Sequence, residues 1–273
     1  MTLRLAGPLL LVGAGKMGGA LLAGWLRQGL DPASVLVQDP VPTPEVGALM
    51  ASHGILGQPE AQLPVAPSVI VLAVKPQIMD AVLPPLAASV APETVVLSIA
   101  AGRTLSNLAS RLPRGAAIVR AMPNTPAAIG QGVTVACANS EVTRDQALCC
   151  DMLLEAVGEV IWIDDEALLD PITAVSGSGP AYVFLLAECL AEAGVAAGLE
   201  PQLAAGLARA TVAGAGELLR RSDFSPAELR QHVTSPKGVT AAALAVLMGE
   251  GGLKDLLTRA VAAAAKRSRE LSS

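Results

Sequence analysis

The sequence predicts an α/β domain with a mostly parallel sheet, followed by an all-helical domain. In the first half, short runs that are apolar throughout alternate with helical patterns, which is typical of parallel strands covered by helices on both faces. From about Glu166 onward, strand-like runs give way to apolar residues at intervals of three and four, which indicates helices. We therefore expect one domain over residues 1–164 and a second over residues 165–273.

Each element has its own signal in the sequence. The strands, identified as short apolar runs, are expected at Leu9–Val12, Ser34–Asp39, Ser68–Val74, Thr94–Ile99 and Ala116–Ala121. Helices between them are expected at Lys16–Gln28, Glu45–His53, Pro76–Ser89 and Leu105–Arg111. The helices of the second domain, rich in small residues that allow close contact, are expected at Ala181–Ala197, Pro201–Arg221, Ala227–Gln231, Thr240–Gly249 and Leu253–Leu271.

Charge and cysteine usage argue against several classes of partner. The 273 residues carry a formal net charge of −5, so no basic face is expected for nucleic acid or anionic lipid. The cysteines show no CxxC spacing and two are adjacent, which favours reduced thiols in the cytoplasm and predicts no metal site. They are Cys137, Cys149, Cys150 and Cys189.

One later stretch, Pro180–Leu199, is long and apolar enough to raise the question of a membrane span. Glu188 and Glu192 lie one helical turn apart inside it, and charged side chains are costly in a bilayer. We therefore interpret the stretch as a buried helix at a subunit interface and expect no membrane association.

The stretch LLLVGAGKMGGALLAGWL places the pattern G-x-G-x-x-G between an apolar run and a helix. The first glycine permits a tight turn, the second lets the backbone approach a pyrophosphate, and the third allows the helix to pack closely on the strand. Free amides at the helix start then face the phosphates. The pattern predicts a dinucleotide-binding Rossmann domain whose cofactor contacts include Gly13, Ala14, Gly15, Lys16, Met17 and Gly18.

An acidic residue at the end of the second strand supports this interpretation. Asp39 lies 21 residues after Gly18, where a carboxylate accepts hydrogen bonds from the adenosine ribose and repels a 2′-phosphate. No Lys or Arg occurs between Asp39 and Lys75, so the sequence offers no local basic clamp for that phosphate. Both observations favour NADH.

The usual residues for alcohol-to-carbonyl chemistry are missing from the sequence. Short-chain dehydrogenases need a Tyr followed four residues later by Lys, but Leu186 follows the sole tyrosine, Tyr182. No lysine lies between Lys75 and Lys237, and the sequence has only two histidines. An imine substrate eases this requirement, because a C=N nitrogen is more basic than a carbonyl oxygen and can be protonated before hydride arrives.

Six motifs occur in order over essentially the whole chain: VGAGKMG, AVKPQ (73–77), SIAAG (98–102), RAMPNTPA (120–127), AVSGSGPAY (174–182) and SPKGVT (235–240). With these motifs the chain resembles the pyrroline-5-carboxylate reductase family. The resemblance implies reduction of the cyclic imine 1-pyrroline-5-carboxylate to L-proline, the last step of proline biosynthesis, with NADPH or NADH. It also implies a second set of cofactor residues, at the nicotinamide end: Ala73, Val74, Lys75, Pro76, Ala100 and Ala101.

The SPKGVT motif is the expected substrate loop. Ser235 before Pro236 predicts an N-cap with proline at the first helical position, so that amides near Gly238 can bind the substrate carboxylate. By resemblance, the Thr240 hydroxyl hydrogen-bonds the ring nitrogen and is the catalytic residue. The family usually has two glycines after this proline, and here Lys237 replaces the first. The substrate-binding residues implied in this way are Glu166, Asp223, Ser235, Gly238, Val239 and Thr240.

The resemblance further implies a homodimer formed through the helical domain, with dimers assembled into a decameric ring, and a small-molecule substrate as the partner. Two alternatives stay open at this point. One is a reductase of another cyclic imine, and the other is a protein that binds NAD(P) without catalysing a reaction.

Overall fold

The structure is a computed structural model and describes residues 3–55, 57 and 65–272. Its chain divides into two compact units, Met1–Gly177 together with Ala264–Ser273, and Ser178–Ala263. The last residues of the chain therefore belong to the first unit. The functional division predicted from the sequence, at residues 164 and 165, stays a prediction.

A mostly parallel sheet forms the centre of the first unit, as the sequence predicts. In the described residues its strand order is β2-β1-β3-β4-β5-β6-β7. Strands β1 to β5 pair in parallel, β6 runs antiparallel to β5, and β7 pairs in parallel with β6. The strands are β1 Leu9–Val12, β2 Val35–Gln38, β3 Val69–Leu72, β4 Val95–Ser98, β5 Ala117–Met122, β6 Gly132–Ala138 and β7 Gly158–Trp162.

Helices cover both faces of this sheet, which explains why its central strands are apolar on both sides. On one face Leu11, Val71 and Leu97 pack in the same cluster as Trp25, and on the other Leu10 packs in the cluster of Leu83. The helices of this unit are α1 Lys16–Arg27, α2 Pro44–Ser52, α3 Met79–Ala87, α4 Leu105–Ala109, α5 Arg144–Glu155 and α6 Leu169–Ile172.

Two strands of the sheet are absent from the sequence-based prediction. Strand β6 is rich in small residues, and β7 has Glu159 exposed between half-buried neighbours, so neither gives a long apolar run. Their pairing depends on a close backbone approach, since a side chain at Gly158 would clash with the backbone of Gly132. The predicted helix at Pro76–Ser89 is also shorter than expected, because Pro76–Ile78 forms a 3-10 turn before α3.

The second unit is helical, as predicted. Its helices are α7 Gly179–Ala196, α8 Pro201–Arg221, α9 Pro226–His232, α10 Val239–Leu247 and the larger part of α11 Leu253–Ser272. Small residues let α7 and α8 approach closely, and a Cβ built at Gly194 lies 3.2 Å from that of Ala204. Many large apolar side chains of α7 are nevertheless exposed in the single chain, among them Phe184 at 67% and Leu185 at 56%. Such a surface marks an interface.

Among the described residues, one helical stretch, Glu166–Ala196, is long and apolar enough to cross a membrane by length and composition alone. A helix that packs against another protein chain passes the same test, so this stretch is weak support for a span. The absence of membrane association stays a prediction.

Trp25 fastens α1 to α5. Its indole is fully buried, and its Nε1–H donates to the carbonyl of Leu153 at 2.8 Å. We expect Trp25→Phe to lower the free energy of unfolding by about 2 kcal/mol, because the carbonyl loses its partner and the smaller ring leaves a void. Urea unfolding followed by far-UV circular dichroism measures the change.

The other tryptophan provides the control, since Trp162 is only partly buried and donates to the carboxylate of Asp151 at 2.9 Å. Trp162→Phe should cost less than about 1 kcal/mol. Equal losses for the two variants would contradict the assignment of Trp25 as the anchor.

Candidate active site

The three glycines of the G-x-G-x-x-G turn have three different surroundings. Gly13 adopts φ +94°, and a Cβ there would lie 2.8 Å from the carbonyl carbon and oxygen of Ala73. A Cβ at Gly18 would collide with the carbonyl oxygen of Gly13. A Cβ at Gly15 would have no atom within 4 Å. Two of the glycines are therefore required by packing, while the second faces open space at the start of α1, where a phosphate group fits.

The amides at the start of α1 face that same space. Gly15 is the N-cap of the helix and has no side chain to accept hydrogen bonds from them. Lys16 at the first helical position is exposed, Met17 is partly buried and Ala14 is fully buried. A pyrophosphate bound here would supply the acceptors that the helix start lacks, so the residues present fit a dinucleotide.

Asp39 lies directly beside this turn. One carboxylate oxygen, Oδ2, accepts from the amide of Ala14 at 2.6 Å, and the other, Oδ1, accepts from the amide of Val41 at 2.9 Å. A cavity of about 510 Å³ adjoins the carboxylate. Among the described residues its lining contains no basic side chain and consists of Asp39, Pro40, Pro42, Gly47, Met50, Ala51, Ile55 and Gly57.

The second set of predicted cofactor residues lies at the same edge of the sheet. Ala73, Val74, Lys75 and Pro76 follow β3, and Ala100 and Ala101 follow β4. Lys75 is exposed and precedes the 3-10 turn, whereas Ala100 is buried. Because ligands of open α/β sheets bind outside the carboxyl ends of the strands, the structure brings both sets of residues to the edge where a dinucleotide is expected.

Four of the predicted substrate residues of the second unit lie at or just before the start of α10: Ser235, Gly238, Val239 and Thr240. Ser235 to Gly238 form a turn in which the amide of Gly238 donates to the carbonyl of Ser235 at 3.0 Å. Helix α10 begins at Val239 with Gly238 as its N-cap, so the prediction that Ser235 caps this helix is wrong. Lys237 cannot continue a helix begun at Pro236, because its φ is +59°. Thr240 thus lies in the first turn of α10, beside amides that no side chain caps.

Comparisons with known proteins identify the family of this chain. A family model described as pyrroline-5-carboxylate reductase dimerisation matches residues 166–271, and one described as NADP oxidoreductase, coenzyme F420-dependent, matches residues 9–102. The chain is 41% identical to the pyrroline-5-carboxylate reductase of Pseudomonas aeruginosa, over 96% of this chain and 95% of that one. It is 39% identical to that of Pisum sativum, over 96% and 94%. The chain belongs to the pyrroline-5-carboxylate reductase family.

Solved structures of this family have the same fold. A pyrroline-5-carboxylate reductase from Coxiella burnetii is 34% identical and superimposes with a TM-score of 0.90, covering 98% of this chain and all of that one. A pyrroline carboxylate reductase from Plasmodium falciparum with NADP bound is 29% identical, with a TM-score of 0.84 over 98% and 99%. These comparisons confirm the resemblance that the six motifs indicate.

Glu166, a predicted substrate residue, belongs to the first unit and is held there by two donors. Its Oε1 accepts from the guanidinium of Arg120 at 2.7 Å and from the amide of Leu105 at 2.8 Å. The Arg120 side chain is 7% exposed and that of Glu166 26%. Arg120 opens the RAMPNTPA motif, but its role is not visible in the sequence, because one arginine in an apolar strand has no periodic signal.

Two further residues that the resemblance singles out in the second unit are Asp223 and Lys237. Asp223 is exposed in the connection between α8 and α9, away in sequence from the start of α10. Lys237 adopts a left-handed conformation, which costs a residue with a Cβ about 1 kcal/mol and a glycine nothing. A glycine, which the resemblance implies at this position, would adopt the same conformation without that cost.

Two thiols of the first unit, the buried Cys137 and the partly buried Cys149, are unsuited to nucleophilic chemistry. The pKa of Cys137 is raised to about 11, mainly by burial and also by the Glu166 carboxylate, while the Arg120 guanidinium opposes this rise. Burial also raises the pKa of Cys149 to about 11. Both thiols stay protonated at neutral pH, so neither supplies a thiolate to the reaction.

The ion pair between Glu166 and Arg120 makes a stability prediction. Glu166→Ala leaves a buried guanidinium without its partner, and we expect the free energy of unfolding to fall by about 3 kcal/mol. Glu166→Gln keeps an oxygen acceptor and should lose less. Urea unfolding of both variants measures the difference, with Glu159→Ala, at an exposed position of β7, as the control at about 0.5 kcal/mol or less. If Glu159→Ala lowered the free energy of unfolding as much as Glu166→Ala, the stabilising role of the ion pair would be contradicted.

Proposed function

We propose that this chain reduces the cyclic imine 1-pyrroline-5-carboxylate to L-proline, the final step of proline biosynthesis. The observation that carries the proposal is the glycine turn, with open space at Gly15 and uncapped amides at the start of α1. The identity of the substrate comes from the family. The relatives align over 96% of this chain and are named as reductases of pyrroline-5-carboxylate.

The residues of the first unit bind and orient the cofactor. A reduced nicotinamide supplies hydride to the imine carbon when it is bound. The amides at the start of α1 hold the pyrophosphate, and the cavity beside Asp39 receives the adenosine. The short side chains of Ala100 and Ala101 let the backbone approach the nicotinamide without obstruction, and Pro76 borders the same place.

The residues around Thr240 bind the substrate. The uncapped amides at the start of α10, with the positive end of the helix dipole, attract its carboxylate. The Thr240 hydroxyl donates to the ring nitrogen and polarises the C=N bond, which makes the carbon a better hydride acceptor. Lys237, exposed in the same loop, adds positive charge near that carboxylate.

The proposed assembly is a homodimer built through the second unit, with dimers associating further into a ring. The exposed apolar side chains of α7 and the dimerisation-family match over residues 166–271 support it. The proposed location is the cytoplasm, where cysteines stay reduced, and all four cysteines of the chain are free.

Loss of reduced-nicotinamide absorbance with pyrroline-5-carboxylate, together with the appearance of proline, tests the reaction. We expect Thr240→Ala to lower kcat about 100-fold, because the donor to the imine nitrogen is lost, and Thr240→Ser to recover most of it. Thr234→Ala is the matched control, since that hydroxyl donates to the carbonyl of Arg230 outside α10. Wild-type activity in Thr240→Ala would contradict the role assigned to Thr240. Faster turnover of a six-membered cyclic imine than of pyrroline-5-carboxylate would assign a different substrate.

Asp39 is expected to determine the choice between NADH and NADPH. The Asp39 carboxylate is held beside the adenosine cavity by two amides, and the sequence has no Lys or Arg from residue 40 to residue 74. We expect NADH to bind at least about tenfold more tightly than NADPH, and Asp39→Ser to reduce that ratio because the repulsion is removed. Kd values from cofactor fluorescence measure the ratio.

Asp31→Asn is the control for this change, since Asp31 also caps a turn, by accepting from the amide of Ala33, but lies before β2. The ratio should stay at the wild-type value in this variant. Tighter NADPH binding by the wild-type protein, lost in Lys16→Gln, would instead assign the 2′-phosphate to Lys16 and refute the role of Asp39.

A further inference from the structure

Arg103 connects the two loops that follow β3 and β4. It comes directly after the Ala100–Gly102 turn, and its side chain is only 16% exposed. Its Nη2–H donates to the carbonyl of Pro76 at 2.7 Å, and the same nitrogen donates to Oδ2 of Asp80 at 2.9 Å. Its Nη1–H groups donate to Oδ1 of Asp80 at 3.1 Å and to Oδ1 of Asn107 at 3.2 Å. One guanidinium therefore engages a backbone carbonyl of one loop, a carboxylate and an amide at once.

The two joined loops are those on which the nicotinamide end of the cofactor depends in the proposed function. Within the strands, backbone hydrogen bonds fix their spacing, the last of them from the amide of Ile99 to the carbonyl of Leu72 at 3.0 Å. Beyond that hydrogen bond, the loop after β3 and the loop after β4 leave the sheet separately. The contact from Arg103 to Pro76 is a cross-link past the end of the ladder, and it sets the distance between Pro76 and the alanine turn.

The opposite side of the turn is closed by the end of α11, which belongs to the same unit. Gly102 has φ +70°, and a Cβ there would lie 2.9 Å from the carbonyl oxygen of Leu271. The Ser268 hydroxyl donates to the carboxylate of Asp170 at 2.6 Å and fastens this end of the helix. Leu271, Arg103 and Pro76 line a cavity of about 280 Å³. The turn is thus held from two sides.

We propose that Arg103 is a positioning residue for the cofactor: through the Pro76 carbonyl it fixes the loop after β3 against the turn after β4, and so sets where the nicotinamide ring lies. The inference rests on the proposed function. Arg103 acts without touching the cofactor itself. Preorganised loops lower the entropy lost on binding and keep the reacting atoms aligned, so loss of the cross-link weakens cofactor binding and slows hydride transfer.

Arg111 provides a matched control within the same cluster. Its Nε–H pairs with Oδ1 of Asp80 at 2.8 Å, and its Nη1–H donates to the carbonyl of Asn107 at 3.0 Å. None of its hydrogen bonds in the described residues reaches Pro76. The side-chain hydrogen bond from Arg103 is the main cause that lowers the pKa of Asp80 below its ordinary value, so the cluster stays charged throughout the neutral range. Removing either arginine loses an ion pair, but only one removal frees the loop.

The experiment compares Arg103→Met, Arg103→Lys and Arg111→Met with the wild-type enzyme. For Arg103→Met we expect the Kd for NADH, measured by fluorescence without substrate, to rise about tenfold and kcat to fall, with the KM for pyrroline-5-carboxylate unchanged. Arg103→Lys, which keeps the charge and three N–H donors but loses the planar fork of the guanidinium, should recover part of the affinity. Arg111→Met should keep the wild-type Kd and kcat, and both methionine variants should unfold at similar urea concentrations.

Equal Kd values in Arg103→Met and Arg111→Met would overturn the proposal, as would an equal loss of stability and activity in both. Failure of the proposed function gives a different pattern. In that case the wild-type protein reduces no imine, while its NADH binding still shows the tenfold difference between the two methionine variants. A wild-type protein that binds no NADH would overturn both.

Discussion

The turn after β1 approaches the end of β3 closely, and the arrangement of loops at the carboxyl ends of the strands depends on this constraint. Gly13 lies against the carbonyl of Ala73, and Gly18 lies against the carbonyl of Gly13, so neither position has room for a side chain. This contact places the start of α1 directly over the carboxyl ends of the strands. Free amides, the positive end of a helix dipole and open space at Gly15 then coincide at one point.

Charged side chains extend this edge by binding backbone groups of the loops. Asp39 accepts from the amide of Ala14 and joins β2 to the glycine turn. Arg103 donates to the carbonyl of Pro76, and Glu166 accepts from the amide of Leu105. Such hydrogen bonds to charged groups are stronger than those between neutral groups, and each one orders a loop that the sheet itself does not hold. The edge is therefore organised before any ligand arrives.

The second unit is organised mainly by the packing of its helices. Small residues such as Gly194 and Ala204 let its helices pack closely, but they leave large apolar side chains on the outside of the single chain. Burying such surface against a second copy removes it from water and stabilises both chains. The left-handed Lys237 shows the same unit accepting local strain in the loop before α10, where a glycine would be relaxed.

By itself the sequence determined the alternation of strands and helices in the first half of the chain, the glycine turn, the position of Asp39 at the end of the second strand and the family. Each of these rests on local spacing or on residue types that have few substitutes. Tertiary structure decided the rest. Strands β6 and β7 pair because the backbones of Gly132 and Gly158 approach closely, and among the described residues the Arg120 guanidinium pairs with Glu166, from a distant segment. Helix α10 begins at Val239, close to the predicted Thr240, and the predicted cap at Ser235 is wrong because Lys237 adopts a left-handed conformation between Pro236 and the helix. Arg103 looks like an ordinary surface charge until folding brings the Pro76 carbonyl within reach, since hydrogen bonds between distant segments leave no periodic pattern in the sequence.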